Sequence, residues 1–149
     1  MSSLPPELVD LVERLRATLV EINDSEQDCM ANVVASASQA QHVPEIQAVM
    51  ARCRQTSAAA AATAIDTFRD ECSEIGAHST SLTEVAIVSA TAKSVAEFWM
   101  KLESSAAAFA AEAAALLPDH GPDKTTQSIR NTCSDRASSI NRHFEQLAT

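Results

Sequence analysis

The sequence predicts an all-α protein with a single domain over residues 1-149, folded as an elongated antiparallel up-down four-helix bundle. Three observations support this prediction. Alanine, the residue with the highest helix propensity, occurs 28 times, whereas glycine occurs twice and tyrosine is absent. Apolar residues recur at helical spacing along four long segments. The stretches between these segments are short, and short connections between helices imply antiparallel neighbours.

The first segment is predicted to form a helix from Pro5 to about residue 41. Ser3 is a suitable cap, since proline is tolerated in the first turn that follows. The apolar stripe from Leu8 to Ile22 is interrupted by the polar residues 23–27 and then resumes at Cys29. We expect one bent helix, with the alternative of a break near Asp24 that would give five helices.

The second segment is predicted to start at Pro44, because a residue that precedes proline is disfavoured in helical geometry. Its apolar stripe runs from Ile46 to Ile75, and Gly76 is expected to end it as a left-handed cap.

The third segment starts with Ser81 and Glu84, which match a capping box, and its stripe is expected to continue until Pro118. A loop over residues 118–124 precedes the last helix, whose stripe ends at Leu147. Helices of about 35 residues are roughly 50 Å long, so we expect a rod-shaped molecule.

The charge of the chain disfavours nucleic acid and anionic membrane surfaces as partners. The net charge is -9, and the eight arginines and three lysines are dispersed, whereas phosphate contacts need clustered cations. No run of residues approaches the ~20 apolar residues that a membrane span needs. We expect no nucleic acid, no membrane span and a solvated acidic surface.

The four cysteines, Cys29, Cys53, Cys72 and Cys133, all lie on predicted apolar stripes. Cys53 and Cys72 are 19 residues apart on one predicted helix, which separates them by about 28 Å and prevents pairing. Cys29 and Cys53 lie at similar distances from the turn near residues 42 and 43, so we expect a disulfide between them. A second disulfide, from Cys72 to Cys133, would require a bend in the third or fourth segment. The alternative is four reduced cysteines that fill small core positions.

The sequence predicts no enzymatic activity, no cofactor and no metal site. The four histidines, at positions 42, 78, 120 and 143, are scattered near helix ends, and the cysteines lack the paired short spacing of zinc or iron-sulfur sites. Two isolated glycines cannot form a phosphate-binding loop. Thiols on inward stripes are inert.

Most of the aromatic residues are concentrated on the third segment, where Trp99 lies on the apolar stripe. Phe98 and Met100 deviate from that stripe. If they are exposed beside Trp99, they form an apolar patch of the kind that contacts a partner, and otherwise they belong to the core. We take Phe98 and Met100 as candidate partner-binding residues.

The cysteine positions, together with the tail from Cys133-Ser134-Asp135-Arg136 to Phe144 and Leu147, suggest a family. The chain resembles secreted insect proteins of the TsetseEP-domain type and small helical salivary proteins of blood-feeding flies, over residues 5–148. These proteins are alanine-rich, acidic, helical and tied by cysteines. The resemblance implies secretion and action by binding a host or gut component, and it implies no catalytic motif.

The function that we expect is that of a secreted, non-enzymatic helical protein that binds a protein partner, such as a salivary modulator of host defence or haemostasis. One alternative is a carrier of an apolar or lipid ligand. The other is a cytosolic scaffold or granule-coat bundle with reduced cysteines. The start of the chain lacks the features of a signal peptide, so a secreted form would begin at its mature terminus. Asn23-Asp24-Ser25 matches the glycosylation pattern, which also recurs by chance.

Overall fold

The computed structural model describes residues 4–37 and 43–148 of the chain. These residues form four helices, α1 (Pro6–Ser36), α2 (Val43–His78), α3 (Leu82–Ser105) and α4 (Phe109–Ala148), and they contain no strand. The predicted all-α class is therefore confirmed. Ser3 and His42, which the sequence analysis assigned to a cap and a turn, lie outside the described residues.

Helix α1 continues through Asp24, where the alternative prediction placed a break. The polar residues there do not interrupt it, because Asn23 and Glu26 face the interior and are buried. The helix ends earlier than predicted, at Ser36, since Ala37 is extended with φ -70 and ψ 126.

Helix α2 extends past Gly76, the residue predicted to cap it. Among the described residues only Gly121 has a positive φ, so Gly76 does not adopt the left-handed conformation of a cap. The helix ends at His78, whose Nδ1 lies 2.8 Å from the carbonyl oxygen of Glu74.

The predicted cap at the start of α3 is confirmed, because the Glu84 amide donates to Ser81 Oγ over 3.3 Å. The contact of the Glu84 carboxylate differs from that in a simple capping box, because it accepts from the Ser79 hydroxyl at 2.8 Å and not from the Ser81 amide. That same hydroxyl oxygen lies 3.2 Å from the Ser81 amide and accepts from it. Ser79 therefore links the two arms of the cap.

The segment predicted as one helix up to Pro118 is divided at residues 106–108, where α3 ends and α4 begins. Ala106 leaves helical geometry with φ -93 and ψ 0; its amide donates to the carbonyl of Glu103, and the Ala107 amide donates to the carbonyl of Ser104. A run of alanines favours helix at every position, so nothing in the sequence pattern marks this break.

The predicted loop over residues 118–124 is reduced to a single non-helical residue, Gly121, with φ 80 and ψ 171. The helix continues through Pro118 and starts again at Pro122, since proline is tolerated in a first helical turn. Gly121 is the residue suited to this kink, because L side chains rarely adopt such a φ.

The interior contains two groups of buried apolar residues. One group, which we call the terminal cluster, includes the buried apolar residues nearest the chain ends. It consists of Leu8, Leu11, Val12, Leu15, Leu19, Ala61, Ile65, Phe68, Cys72, Val88, Val95, Trp99, Ile140 and Phe144. The other, the disulfide cluster, consists of Met30, Val34, Ile46, Met50, Cys53, Phe109, Ala110, Ala113, Ala114, Ile129 and Cys133. The start of α1 thus packs with the ends of α2 and α4.

Candidate functional site

Four charged side chains lie in sequence between the residues of the two clusters, one on each helix. They are Glu26 on α1, Arg54 on α2, Glu103 on α3 and Arg136 on α4. We call this group the ionic ring. The sequence analysis did not predict it.

Each arginine of the ionic ring bridges both carboxylates. Arg54 donates from Nη1 to Glu26 Oε1 and from Nη2 to Glu103 Oε2. Arg136 donates from Nη1 to Glu26 Oε2 over 3.1 Å and from Nη2 to Glu103 Oε1 over 3.2 Å. The four groups therefore close a ring of two positive and two negative charges that joins all four helices.

The ionic ring is shielded from water to different degrees. The exposed fraction of the side chain is 1% for Glu26, 8% for Arg136, 12% for Arg54 and 26% for Glu103. Burial raises the pKa of the Glu26 carboxyl, and the charges of Arg54 and Arg136 oppose that rise. Both carboxylates are engaged by guanidinium groups from other helices, so the ring ties the four helices together.

The predicted disulfide between Cys29 and Cys53 is present, with a Cα–Cα distance of 5.9 Å. It ties α1 to α2 beside the ionic ring, because Cys29 follows Glu26 by one helical turn and Cys53 precedes Arg54. Cys29 is exposed, whereas Cys53 is buried. Both cysteines line a surface groove of about 240 Å³ between α1 and α2, together with Val33 and Val49.

The second disulfide considered from the sequence, between Cys72 and Cys133, is absent, because both cysteines are free and buried. Cys72 belongs to the terminal cluster and Cys133 to the disulfide cluster, and no bend brings the two together. Burial raises the pKa of each thiol to about 11. Both are therefore unreactive thiols at neutral pH while the interior stays closed.

The two candidate partner-binding residues differ in their exposure. Phe98 is half-buried, packs against the terminal cluster and stacks on the ring of His143 with centroids 4.1 Å apart. Met100 is 68% exposed. Residues two apart on a helix point about 200° away from each other, so Phe98 and Met100 do not form the joint patch that the sequence suggested. Trp99 is buried, as its place on the stripe indicates.

The glycosylation pattern at Asn23 falls on a buried side chain. Asn23 is 4% exposed, and its Nδ2, the atom that would carry a glycan, donates to the carbonyl of Cys133 over 2.8 Å. This hydrogen bond joins α1 to α4, so the folded protein has no space for a glycan there.

His143 on α4 is half-buried. Its Nε2 is shielded from solvent and has no hydrogen-bond partner among the described residues. Burial lowers the pKa of the imidazole, because the charged form would lose its hydration. Protonation of His143 therefore opposes folding.

In residues 4–37 and 43–148, no three histidine, cysteine, aspartate or glutamate side chains are grouped so that they could hold a metal ion. Within the same ranges, no helix combines the length and the apolar character that crossing a membrane requires.

Comparison of the chain with protein-family models, curated proteins and solved structures gives no match. Its function therefore has to be inferred from its own residues.

Proposed function

We propose that this chain is a secreted, non-enzymatic protein that binds a protein partner. The observation that carries the proposal is the Cys29–Cys53 disulfide. Disulfides persist in oxidising compartments and are rare in the cytosol, where glutathione and thioredoxin keep thiols reduced. Because Cys29 is exposed, cytosolic reductants would reach this bond, so its presence between α1 and α2 favours an extracellular location.

We infer further that the helices are arranged as an elongated antiparallel up-down bundle of four rods. In this arrangement α3 and the first part of α4 form one rod, and the chain reverses at Gly121 into the last rod. The composition of the two clusters supports this arrangement, since residues from the start of α1 share a cluster with residues from the ends of α2 and α4. The charged groups of its interior are paired, which favours binding over catalysis.

We assign the partner-binding surface to the exposed face of α3. Leu82 and Met100 are the most exposed large apolar side chains among the described residues, at 88% and 68%. They lie 18 residues, or five helical turns, apart, so they point in the same direction about 27 Å from each other. Exposed apolar side chains on one face favour contact with another macromolecule.

The location is tested on protein collected from its native source with an alkylating agent present from the moment of extraction. Peptide mapping without reduction should show Cys29 linked to Cys53. Recovery of Cys29 and Cys53 as alkylated thiols would instead support the cytosolic scaffold.

The binding surface is tested by the double variant Leu82→Ser/Met100→Ser, with Val49→Ser as the control because Val49 is an exposed apolar residue of α2. Partners from the extracellular fluid of the source are identified by crosslinking, and their affinity is then measured. The double variant should bind at least ten times more weakly, with an unchanged Tm. Equal affinity in all three proteins would exclude the α3 face, and an apolar ligand retained in native mass spectrometry would support the carrier instead.

A further inference from the structure

We propose that the Cys29–Cys53 disulfide is a redox latch. When a dithiol reduces it, the part of the bundle that contains the disulfide cluster opens, while the part that contains the terminal cluster stays folded. The inference concerns the state of the bond and holds whatever partner α3 binds.

The bond is accessible to a reductant from one side. Cys29 is exposed, Cys53 is 4% exposed, and both line the groove between α1 and α2. The groove also presents the small polar side chains of Ser25 and Thr56, which leave room for an approaching thiolate. Attack is therefore directed at the sulfur of Cys29.

The exchange balances without any further reactant. One thiolate of the dithiol attacks Cys29 Sγ, the bond between the two cysteine sulfurs breaks, and Cys53 leaves as a thiolate that takes up a proton. The second thiol of the reductant loses its proton and attacks the mixed disulfide, which releases Cys29 as a thiol. The dithiol is oxidised to a disulfide by two electrons, and Cys29 and Cys53 are reduced.

The disulfide cluster is the part of the interior that depends on this bond. Three of its buried residues, Ala110, Ala113 and Ala114, are alanines and bury little apolar surface. Phe109 is the one aromatic residue among the buried members of the disulfide cluster, whereas the terminal cluster contains Phe68, Trp99 and Phe144, as well as four leucines.

The chain around the disulfide cluster has two points at which it can bend. Residues 109–120 of α4 contribute to this cluster and are bounded by the break at residues 106–108 and by Gly121. The backbone departs from α-helical geometry at both ends of this segment, with ψ 0 at Ala106 and φ 80 at Gly121, so these are the points at which it can bend. Along the chain, each residue of the ionic ring lies between residues of the disulfide cluster and residues of the terminal cluster.

The two free thiols provide a matched pair of reporters. Cys133 lies in the disulfide cluster and is 1% exposed, while Cys72 lies in the terminal cluster and is 2% exposed. The pKa of each thiol is raised to about 11, so the two differ in location and hardly in chemistry. Alkylation of one but not the other shows which part of the bundle has opened.

The experiment measures the rate at which iodoacetamide modifies each cysteine under native conditions, with peptide mass spectrometry as the readout. The samples are the oxidised protein, the protein reduced with dithiothreitol and desalted, and the double variant Cys29→Ser/Cys53→Ser. In the reduced protein and in the variant, Cys133 should react at least ten times faster than in the oxidised protein, while the rate for Cys72 stays unchanged. Reoxidation with oxidised glutathione should restore the protection of Cys133.

The control is Leu19→Ala, which weakens the terminal cluster and leaves the disulfide intact. In this variant Cys72 should gain reactivity at least as much as Cys133 does. The proposal is overturned if reduction accelerates both cysteines equally, which means general loosening, or if Cys133 stays protected after reduction.

Discussion

The ionic ring predicts a large loss of stability for Glu26→Gln. Glu26 accepts from both Arg54 and Arg136, and its side chain is 1% exposed, so water cannot replace the lost charge. The native ring is neutral, and the substitution leaves it with a net positive charge in a buried position. Breaking a buried ion pair by removing one partner costs about 3–5 kcal/mol. We expect the free energy of unfolding to fall by that amount.

A comparison within the ring refines this prediction. The side chain of Glu103 accepts from the same two arginines but is 26% exposed, so water compensates part of the loss. We expect Glu103→Gln to cost about 1–3 kcal/mol, less than Glu26→Gln.

The assay is urea denaturation followed by far-UV circular dichroism, at neutral pH and moderate ionic strength. The control is Glu71→Gln, which removes the surface pair of Arg14 and Glu71 at 3.9 Å and should change the free energy of unfolding by less than about 0.5 kcal/mol. If Glu26→Gln costs no more than Glu71→Gln does, the ring is hydrated and the argument from burial fails.

Three further predictions concern side chains outside the ionic ring. The unfolded state binds a proton at His143 near pH 6.5 whereas burial lowers the pKa of the folded imidazole, so stability should fall as the pH drops through 6.5. Urea denaturation at about pH 7.5 and pH 5.5 measures this fall in the free energy of unfolding, and His143→Phe should lessen it. An equal fall in both proteins would mean that the imidazole is hydrated in the folded state. Phe98→Ala should lower the free energy of unfolding by about 2 kcal/mol and Met100→Ser by less than about 0.5 kcal/mol, because only Phe98 packs on the terminal cluster. Equal losses in the two variants would contradict this difference in burial. Intact-mass measurement of secreted, folded protein should show no glycan on Asn23, since its Nδ2 is hydrogen-bonded in the interior; a glycan at that residue would show that the interface opens.

Most of the fold could be predicted from the sequence, because the apolar residues recur at helical spacing almost without interruption. The same regularity explains what was missed. Alanine is compatible with helix everywhere, so the break at residues 106–108 leaves no mark in the pattern. Conversely, Pro118 does not end its helix, which continues to His120, and the kink lies at Gly121.

The cysteines show the limit of arguments from spacing. The relative position of Cys29 and Cys53 along neighbouring helices depends on a single connection between those helices. Their pairing is confirmed. The relation of Cys72 to Cys133 depends on two helix connections and on every irregularity between them. Errors in helix length accumulate along such a path, so the second pairing could not be derived.

The ionic ring could have been found in part, since two of its members occupy positions on an apolar stripe. Glu26 lies between Asn23 and Met30, and Arg136 lies between Cys133 and Ile140, each at the three- and four-residue steps of an inward face. Charges of opposite sign at inward positions of two helices favour a buried pair over two solvated groups. The partners Arg54 and Glu103 are harder to find in this way, because each stands next to an apolar residue of the stripe, Cys53 or Leu102, and is itself only partly buried. Long charged side chains hide such contacts from any argument based on the direction of the Cβ atom.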